Sequence, residues 1–216
     1  MNNRNLIIAI ALFFTALNLQ AQVTFRPGVH AGLNISKFTD SDFGNKTDFY
    51  IGAFGALKLS KVYTLQPELT YSRQGAKGSN VPMGYTSIYN PSTNTYTTVY
   101  NEGSVDISLQ YLSAVTINKF NLTNDFYLLV GPYFDILVGD DVKVNPKSRE
   151  RDFKKGEDVD LGIVGGLGYS LKNGISFEGR IKKGLTNSFT NYYSYNYSDA
   201  TNLVFQFGAT YTFGKK

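Results

Sequence analysis

An all-β fold, an eight-stranded antiparallel up-and-down transmembrane β-barrel, is what this sequence predicts, on three observations. Apolar and polar residues alternate with period two in eight segments of roughly ten or more residues, each bounded by turn chemistry. The connections between the segments alternate between short and long. The more polar face is built mainly of Gly, Ser, Thr, Asn and Gln, whereas a solvated exterior carries abundant Lys and Glu.

The elements follow in chain order. Residues 1–21 read as a cleavable secretory signal peptide: "MNNR" carries Arg4, "LIIAIALFFTAL" is an apolar run, and "NLQA" ends in the small Ala21. The run falls short of the ~20 residues of a spanning helix. Residues 22–216 then form the barrel domain. In the first segment, "QVTFRPGVHAGLNIS", Phe25, Pro27, Val29, Ala31, Leu33 and Ile35 oppose Arg26, Gly28, His30, Gly32, Asn34 and Ser36. In the second, "DFYIGAFGALKLS", Phe49, Ile51, Ala53, Leu57 and Leu59 oppose Tyr50, Gly52, Phe54, Ala56 and Lys58. The third, "YTLQPELTYSRQG", sets Tyr63, Leu65, Pro67, Leu69 and Tyr71 against Thr64, Gln66, Glu68, Thr70 and Ser72.

The fourth segment, "SVDISLQYLSAVTI", sets Val105, Ile107, Leu109, Tyr111, Val115 and Ile117 against Asp106, Ser108, Gln110 and Thr116. The fifth, "DFYLLVGPYFDILVG", runs Phe126, Leu128, Val130, Pro132, Phe134, Ile136 and Val138 opposite Tyr127, Gly131, Tyr133, Asp135 and Gly139. The sixth, "DVDLGIVGGLGYSL", opposes Val159, Leu161, Ile163, Leu167, Tyr169 and Leu171 to Asp160, Gly162, Gly166, Gly168 and Ser170. The seventh, "GISFEGRIKKGLTNS", opposes Ile175, Phe177, Ile181 and Leu185 to Ser176, Glu178, Arg180, Lys182 and Gly184. The eighth, "ATNLVFQFGATYTF", opposes Leu203, Phe205, Phe207, Ala209, Tyr211 and Phe213 to Asn202, Gln206, Gly208, Thr210 and Thr212. Short turns fall around Lys61, at 118–124 and at 172–174; long loops fall at 37–47, 77–103, 140–157 and 189–199.

A soluble lipocalin-like barrel shares the alternation. Small polar residues suit the narrow interior of eight strands, and Tyr and Phe cap the greasy rows as an interfacial girdle does. The greasy rows, including the fourth, are therefore assigned to lipid and the polar rows to the lumen. A carboxylate such as Glu68 needs a partner there. The expected network is Arg26, His30, Lys58, Gln66, Glu68, Asp135, Asp160, Glu178, Arg180 and Lys182, with Arg180, Lys182, Arg26 and Lys58 as candidate partners of Glu68. Pro27, Pro67 and Pro132 each remove a ladder donor, so bulges or local gaps are expected beside them.

Six stretches carry a family resemblance: "GVHAGLNIS" (28–36), "LQPELTYSRQGAK" (65–77), "QYLSAV" (110–115), "VGPYFDILVG" (130–139), "DLGIVGGLGY" (160–169) and "FGATYTF" (207–213). Together, and in this order, they resemble the PorT-like outer-membrane β-barrel family of Bacteroidetes-type bacteria, whose members often carry a "porin family" label. The resemblance implies an eight-stranded barrel in the outer membrane of a Gram-negative cell. The closing aromatic, Phe213, is similar to the signal read by the barrel-assembly machinery, although Gly214, Lys215 and Lys216 follow it.

Little else in the chain reads as chemistry. Cys is absent, which removes disulfides, thiolate metal sites and a Cys nucleophile. The net charge of +4 is scattered, so no nucleic-acid footprint is expected. His30 is the sole His and sits mid-strand, which suits a hydrogen-bonded lumen residue better than a catalyst. Asp140, Asp141, Glu157, Asp158 and Asp160 have the oxygen chemistry for Ca²⁺, but Lys154 and Lys155 beside them favour a solvated loop base. "GGLG" (165–168) opens no helix, so it is read as close packing or curvature, not phosphate binding. No catalytic residue, cofactor or metal is expected. The Tyr-, Asn-, Ser- and Thr-rich stretches 85–100 and 189–199 suit an extracellular ligand or protein, or an ordinary polar surface. The Lys and Arg of 143–158 suit lipopolysaccharide phosphates. The expected role is structural or loop-mediated, around a closed polar lumen; the alternative is a narrow channel for ions or small solutes.

Overall fold

The structure is a computed structural model, and it describes residues 23–39, 43–145, 153–187, 189–191 and 200–214. The proposed signal peptide lies outside the described residues. Among the described residues ten strands form: β1 Thr24–Phe38, β2 Gly44–Lys58, β3 Tyr63–Asn90, β4 Thr95–Asn121, β5 Phe126–Asn145, β6 Phe153–Gly156, β7 Val159–Ser170, β8 Ile175–Gly184, β9 Phe189–Asn191 and β10 Asn202–Thr212. Eight of them close one barrel in the order β1-β10-β8-β7-β5-β4-β3-β2, while β6 and β9 pair separately. Every neighbour in the barrel is antiparallel, and β1 meets β10 without a break from Gly28↔Thr212 to Phe38↔Asn202. The predicted fold class is the one observed.

Pro67 and Pro132 interrupt pairing without shifting it. Between β2 and β3 the pairs Phe54↔Glu68 and Leu57↔Leu65 keep one register, and the two pairs between them are missing on the Pro67 side. Between β4 and β5 the same gap separates Val115↔Tyr133 from Asn118↔Val130, beside Pro132. Pro27 sits just beyond the end of the β1–β10 ladder, where only its carbonyl is used, accepting from the Phe213 amide. In the barrel ladders the register shifts lie elsewhere, at 45/50, 78/81, 82/85 and 110/111.

Two expectations are corrected. The stretches 37–47 and 77–103 are mostly strand: β1 and β2 leave only 39–43 between them, and β3 and β4 run on to Asn90 and Thr95. Beyond Gly44↔Lys77 and Ser104↔Asn145 these two strands pair only with each other among the described residues, so they leave the barrel as a two-stranded arm. Along the exposed outer part of the arm, residues 85–100, Thr and Tyr carry β-propensity even though no core covers them.

The second correction is to β4. Val105, Ile107, Leu109, Tyr111, Val115 and Ile117 point into the barrel, and Leu112, Ala114, Thr116 and Phe120 point out. Residues opposite each other across a ladder share a face, and the partners decide it: Gln66↔Ile117, Glu68↔Val115 and Ser72↔Tyr111 are all inward. The apolar row loses nothing by this. Val115 and Ile117 pack against Tyr127, Leu129, Tyr133 and Val164. Higher up, Val105, Ile107, Leu109 and Tyr111 pack with Phe38, Phe43 and Val144. A packed lumen removes apolar area from water as hydrocarbon does.

Candidate functional site: the charged lumen and the arm

β8 supplies the centre of the lumen. Its period of two turns Glu178, Arg180 and Lys182 inward and leaves Phe177, Ile181 and Leu185 outside. Arg180 forks onto Glu68 of β3, with Nη1 to Oε2 at 2.7 Å and Nη2 to Oε1 at 2.9 Å, and its Nε donates to Glu178 Oε2 at 2.8 Å. Such bidentate pairs are the strong form of charged hydrogen bond. Gln66 donates to Glu68 Oε1 at 2.8 Å, and Tyr127 donates to Glu178 Oε1 at 2.7 Å.

One layer above, Lys182 Nζ reaches Asp135 Oδ2 at 2.8 Å and lies 4.1 Å from the Tyr133 ring centre. Gln74 donates to the same oxygen at 3.2 Å. Asp135 is the cross-strand neighbour of Asp160, which accepts from Tyr133, Asn202 and Thr186 at 3.0–3.2 Å. His30 is buried, with Nε2 2.9 Å from Thr70 Oγ1 and Nδ1 3.8 Å from Glu68 and without a hydrogen bond. A void of about 10 Å³ beside His30, Glu68, Arg180 and Lys182 is about the size of one water.

Arg26 and Lys58, expected in this network, stand outside it. Both lie on lumen-facing positions but at the short-turn end of β1 and β2, where Arg26 is half-buried and Lys58 exposed. A long charged side chain at a strand end stays hydrated instead of entering the lumen. Lys119, read as part of a turn, is the cation that does approach: its Nζ is 4.0 Å from Glu178 and 3.5 Å from the Tyr127 ring centre. Lys46 was also missed. It is buried near the long-loop end and donates to Asp106 and Ser108, and Lys77 stands 3.3 Å from Asp106. Burial opposes ionisation of Asp106, yet the two lysines outweigh it and hold the carboxyl below the usual range.

The remaining candidates separate. Asp160 is inside the barrel and Asp141 is exposed with Lys143 3.2 Å away; among the described residues no three of His, Asp and Glu gather as a metal site. In the "GGLG" run, a Cβ on Gly166 would lie 2.2 Å from the Gly179 carbonyl oxygen, and one on Gly168 2.1 Å from the Tyr127 ring. Of the stretches 143–158 and 189–199, parts lie outside the described residues.

The arm is the second candidate. Tyr85↔Tyr100, Ser87↔Thr98 and Tyr89↔Tyr96 are opposite each other, so four tyrosines share one face. Tyr89 and Tyr96 have ring centres 5.0 Å apart, and Tyr100 is 77% exposed. Residues 83–101 carry no charge.

The model of an outer membrane protein beta-barrel domain matches residues 20–190. The chain belongs to this family. It is an outer-membrane barrel, and the short turns 59–62, 122–125 and 171–174 mark the periplasmic end, since such barrels have short periplasmic turns and longer loops outside. No curated protein matches the chain in sequence. Among solved structures it is similar to Neisserial surface protein A, at 12% identity and TM-score 0.48 over 88% of this chain and 97% of that one. It is also similar to Ail, the attachment invasion locus protein of Yersinia pestis, at 9% and 0.44 over 88% and 97%. OprG of Pseudomonas aeruginosa gives 12% and 0.45 over the same shares.

Proposed function

We propose that this outer-membrane barrel is non-enzymatic, has a closed lumen, and acts structurally or through contacts made by its extracellular arm. The observation that carries the reading is the filling of the lumen: Arg180 locked between Glu68 and Glu178, Lys182 on Asp135, and an apolar cluster above them. Among the described residues, the void beside His30, Glu68, Arg180 and Lys182 is about one water in size, which supports a lumen closed at this level. The arm supports the second half of the reading. Tyr with Ser, Thr and Asn is the composition of adaptable contact surfaces, and here the tyrosines stand clear of the barrel.

The stretches quoted above favour a PorT-like member of the barrel family. Export by the 1–21 signal peptide, insertion by the barrel-assembly machinery and contact of the basic 143–158 stretch with lipopolysaccharide complete the proposal. The test has two parts. Refolded protein in a planar bilayer is expected to give no steady conductance; stable openings altered by Glu68→Gln would replace the closed lumen with a narrow channel. Deletion of residues 85–100 is expected to leave a heat-modifiable, folded barrel and to abolish binding of the protein to its extracellular partner, captured by crosslinking on intact cells. Unchanged crosslinks after the deletion would remove the arm from the reading.

A further inference from the structure

We propose that the lipid-facing wall of β7, β8 and β10 holds one acyl chain of a periplasmic-leaflet phospholipid, in a groove floored by Gly165 and Gly179. The glycines set this wall apart. Inward glycines are dictated by crowding: a Cβ on Gly28 would lie 2.2 Å from the Phe54 ring, and one on Gly52 2.4 Å from His30. The outward Gly55 lies beneath Phe25, at 2.6 Å. Gly165 and Gly179 also face outward, but a Cβ there would meet nothing closer than 3.9 Å and 3.7 Å. Packing within the chain does not require glycine at either place. Glycine weakens a strand, and in a strand it marks a site where another group approaches closely.

What the missing side chains leave is a shallow, open trough. Two hollows of about 680 and 490 Å³ share Leu167, Gly179 and Phe207 and so run together. Phe126, Tyr169 and Phe177 bound it towards the periplasm; Ile181 and Phe205 bound it towards the membrane centre. Glu178 and Arg180 offer it only their backbone, because their side chains are buried in the lumen. The surface inside the trough is therefore apolar.

Depth and position select the occupant. From Tyr169 to Gly165, or Phe177 to Ile181, the trough follows four residues of strand, about 13 Å along the strand and, at the usual tilt of about 35–45°, roughly 10 Å along the membrane normal. One leaflet of a ~30 Å hydrocarbon core is about 15 Å deep. The lower end lies at the Phe126–Tyr169 pair, whose ring centres are 5.4 Å apart, at the level of the periplasmic turns where headgroups begin. A flexible hydrocarbon chain entering from that end fits between the raised Leu167, Phe177 and Phe207. A second copy of the barrel would present its own projecting rings, and a stable interface needs a broad complementary face of about 800 Å² per partner.

The probe is palmitoyl-oleoyl phosphatidylethanolamine. Wild-type protein and the double variant Gly165→Leu/Gly179→Leu are refolded with it, exchanged into lipid-free detergent and weighed by native mass spectrometry. Wild type is expected to keep one lipid per barrel, and the variant to keep it at least tenfold less. Equal retention overturns the proposal. So does a wild-type dimer that the variant breaks, which would give the wall to a second copy. If the double variant does not refold, the single Gly179→Leu is used; failure of both to refold also overturns the proposal, because the argument requires room for a side chain at these positions.

Discussion

Replacing Arg180 by Met is the sharpest perturbation the lumen offers. The side chain is buried and makes charged hydrogen bonds to two carboxylates, Glu68 and Glu178, each at most 5% exposed. Taking one partner from a buried pair costs about 3–5 kcal/mol, because the remaining charge stays buried and uncompensated. Here one substitution strands two carboxylates, which leaves them facing each other. Gln66 and Tyr127 retain one hydrogen bond to each, and Lys119 at 4.0 Å attends Glu178, so the loss is expected near the single-pair figure, about 4 kcal/mol, and not at its double. Against a total stability of about 5–15 kcal/mol this is large. The assay is urea unfolding of the refolded protein in lipid vesicles, read by heat-modifiable gel mobility. The triple variant Glu68→Gln/Arg180→Met/Glu178→Gln removes the charges together and is expected to recover most of the loss. A destabilisation under about 1 kcal/mol for Arg180→Met, or a triple variant no better than the single, would refute the reasoning.

Three further outcomes follow from the same geometry. Gly166→Val puts a Cβ against the Gly179 carbonyl oxygen at 2.2 Å and is expected to block refolding, whereas Gly179→Val refolds, as gel mobility will show. Cysteines at 112, 114 and 116 are expected to react with a membrane-soluble maleimide while those at 113, 115 and 117 stay protected; the opposite pattern would restore the lipid-facing assignment of Val115 and Ile117. Asp106 has a depressed pKa, so the stability it gives the base of the arm is fully present above its unfolded value, about 3.9, and is lost as pH falls through its lower folded value. Amide protection in residues 104–108, the exchange rate relative to the unfolded rate at the same pH, is therefore expected to hold steady down to about pH 4 and to fall only below that. Asp106→Asn should show the low protection at neutral pH.

Much of this was legible because each strand carries its own two-residue code. β8 is the clearest case: "FEGRIK" puts Glu178, Arg180 and Lys182 on one side before any partner is known. β4 shows where the code stops. It states which residues share a face and not which face is inside, and Val115 and Ile117 are at home against lipid or against Tyr127 and Tyr133. Only the pairing to Gln66 and Glu68 resolves it, and that pairing depends on the stagger between strands. Partner choice was hidden for the same reason: four cations were candidates for Glu68, and register alone brings Arg180 across from β8. The arm was concealed because its Tyr, Thr, Ser and Asn are loop composition as much as strand composition. Proline was legible too: Pro67 removes a ladder donor, and the barrel shows the expected local gap, with pairs unmade on one side only.

The seam between β1 and β10 has a consequence for how the molecule is made. Its eleven consecutive pairs join residues such as Gly28 and Thr212, which are nearly a whole chain apart. Every other wall of the barrel forms between strands that are neighbours in the barrel's chain order, and loop closure becomes more expensive with length. Until residues 202–212 arrive, β1 and β8 each present an unpaired edge, which hydrocarbon does not tolerate. Insertion is thus timed by the last strand: a nascent chain short of it is an open ribbon that must be shielded, and a break at the seam undoes the whole ring at once.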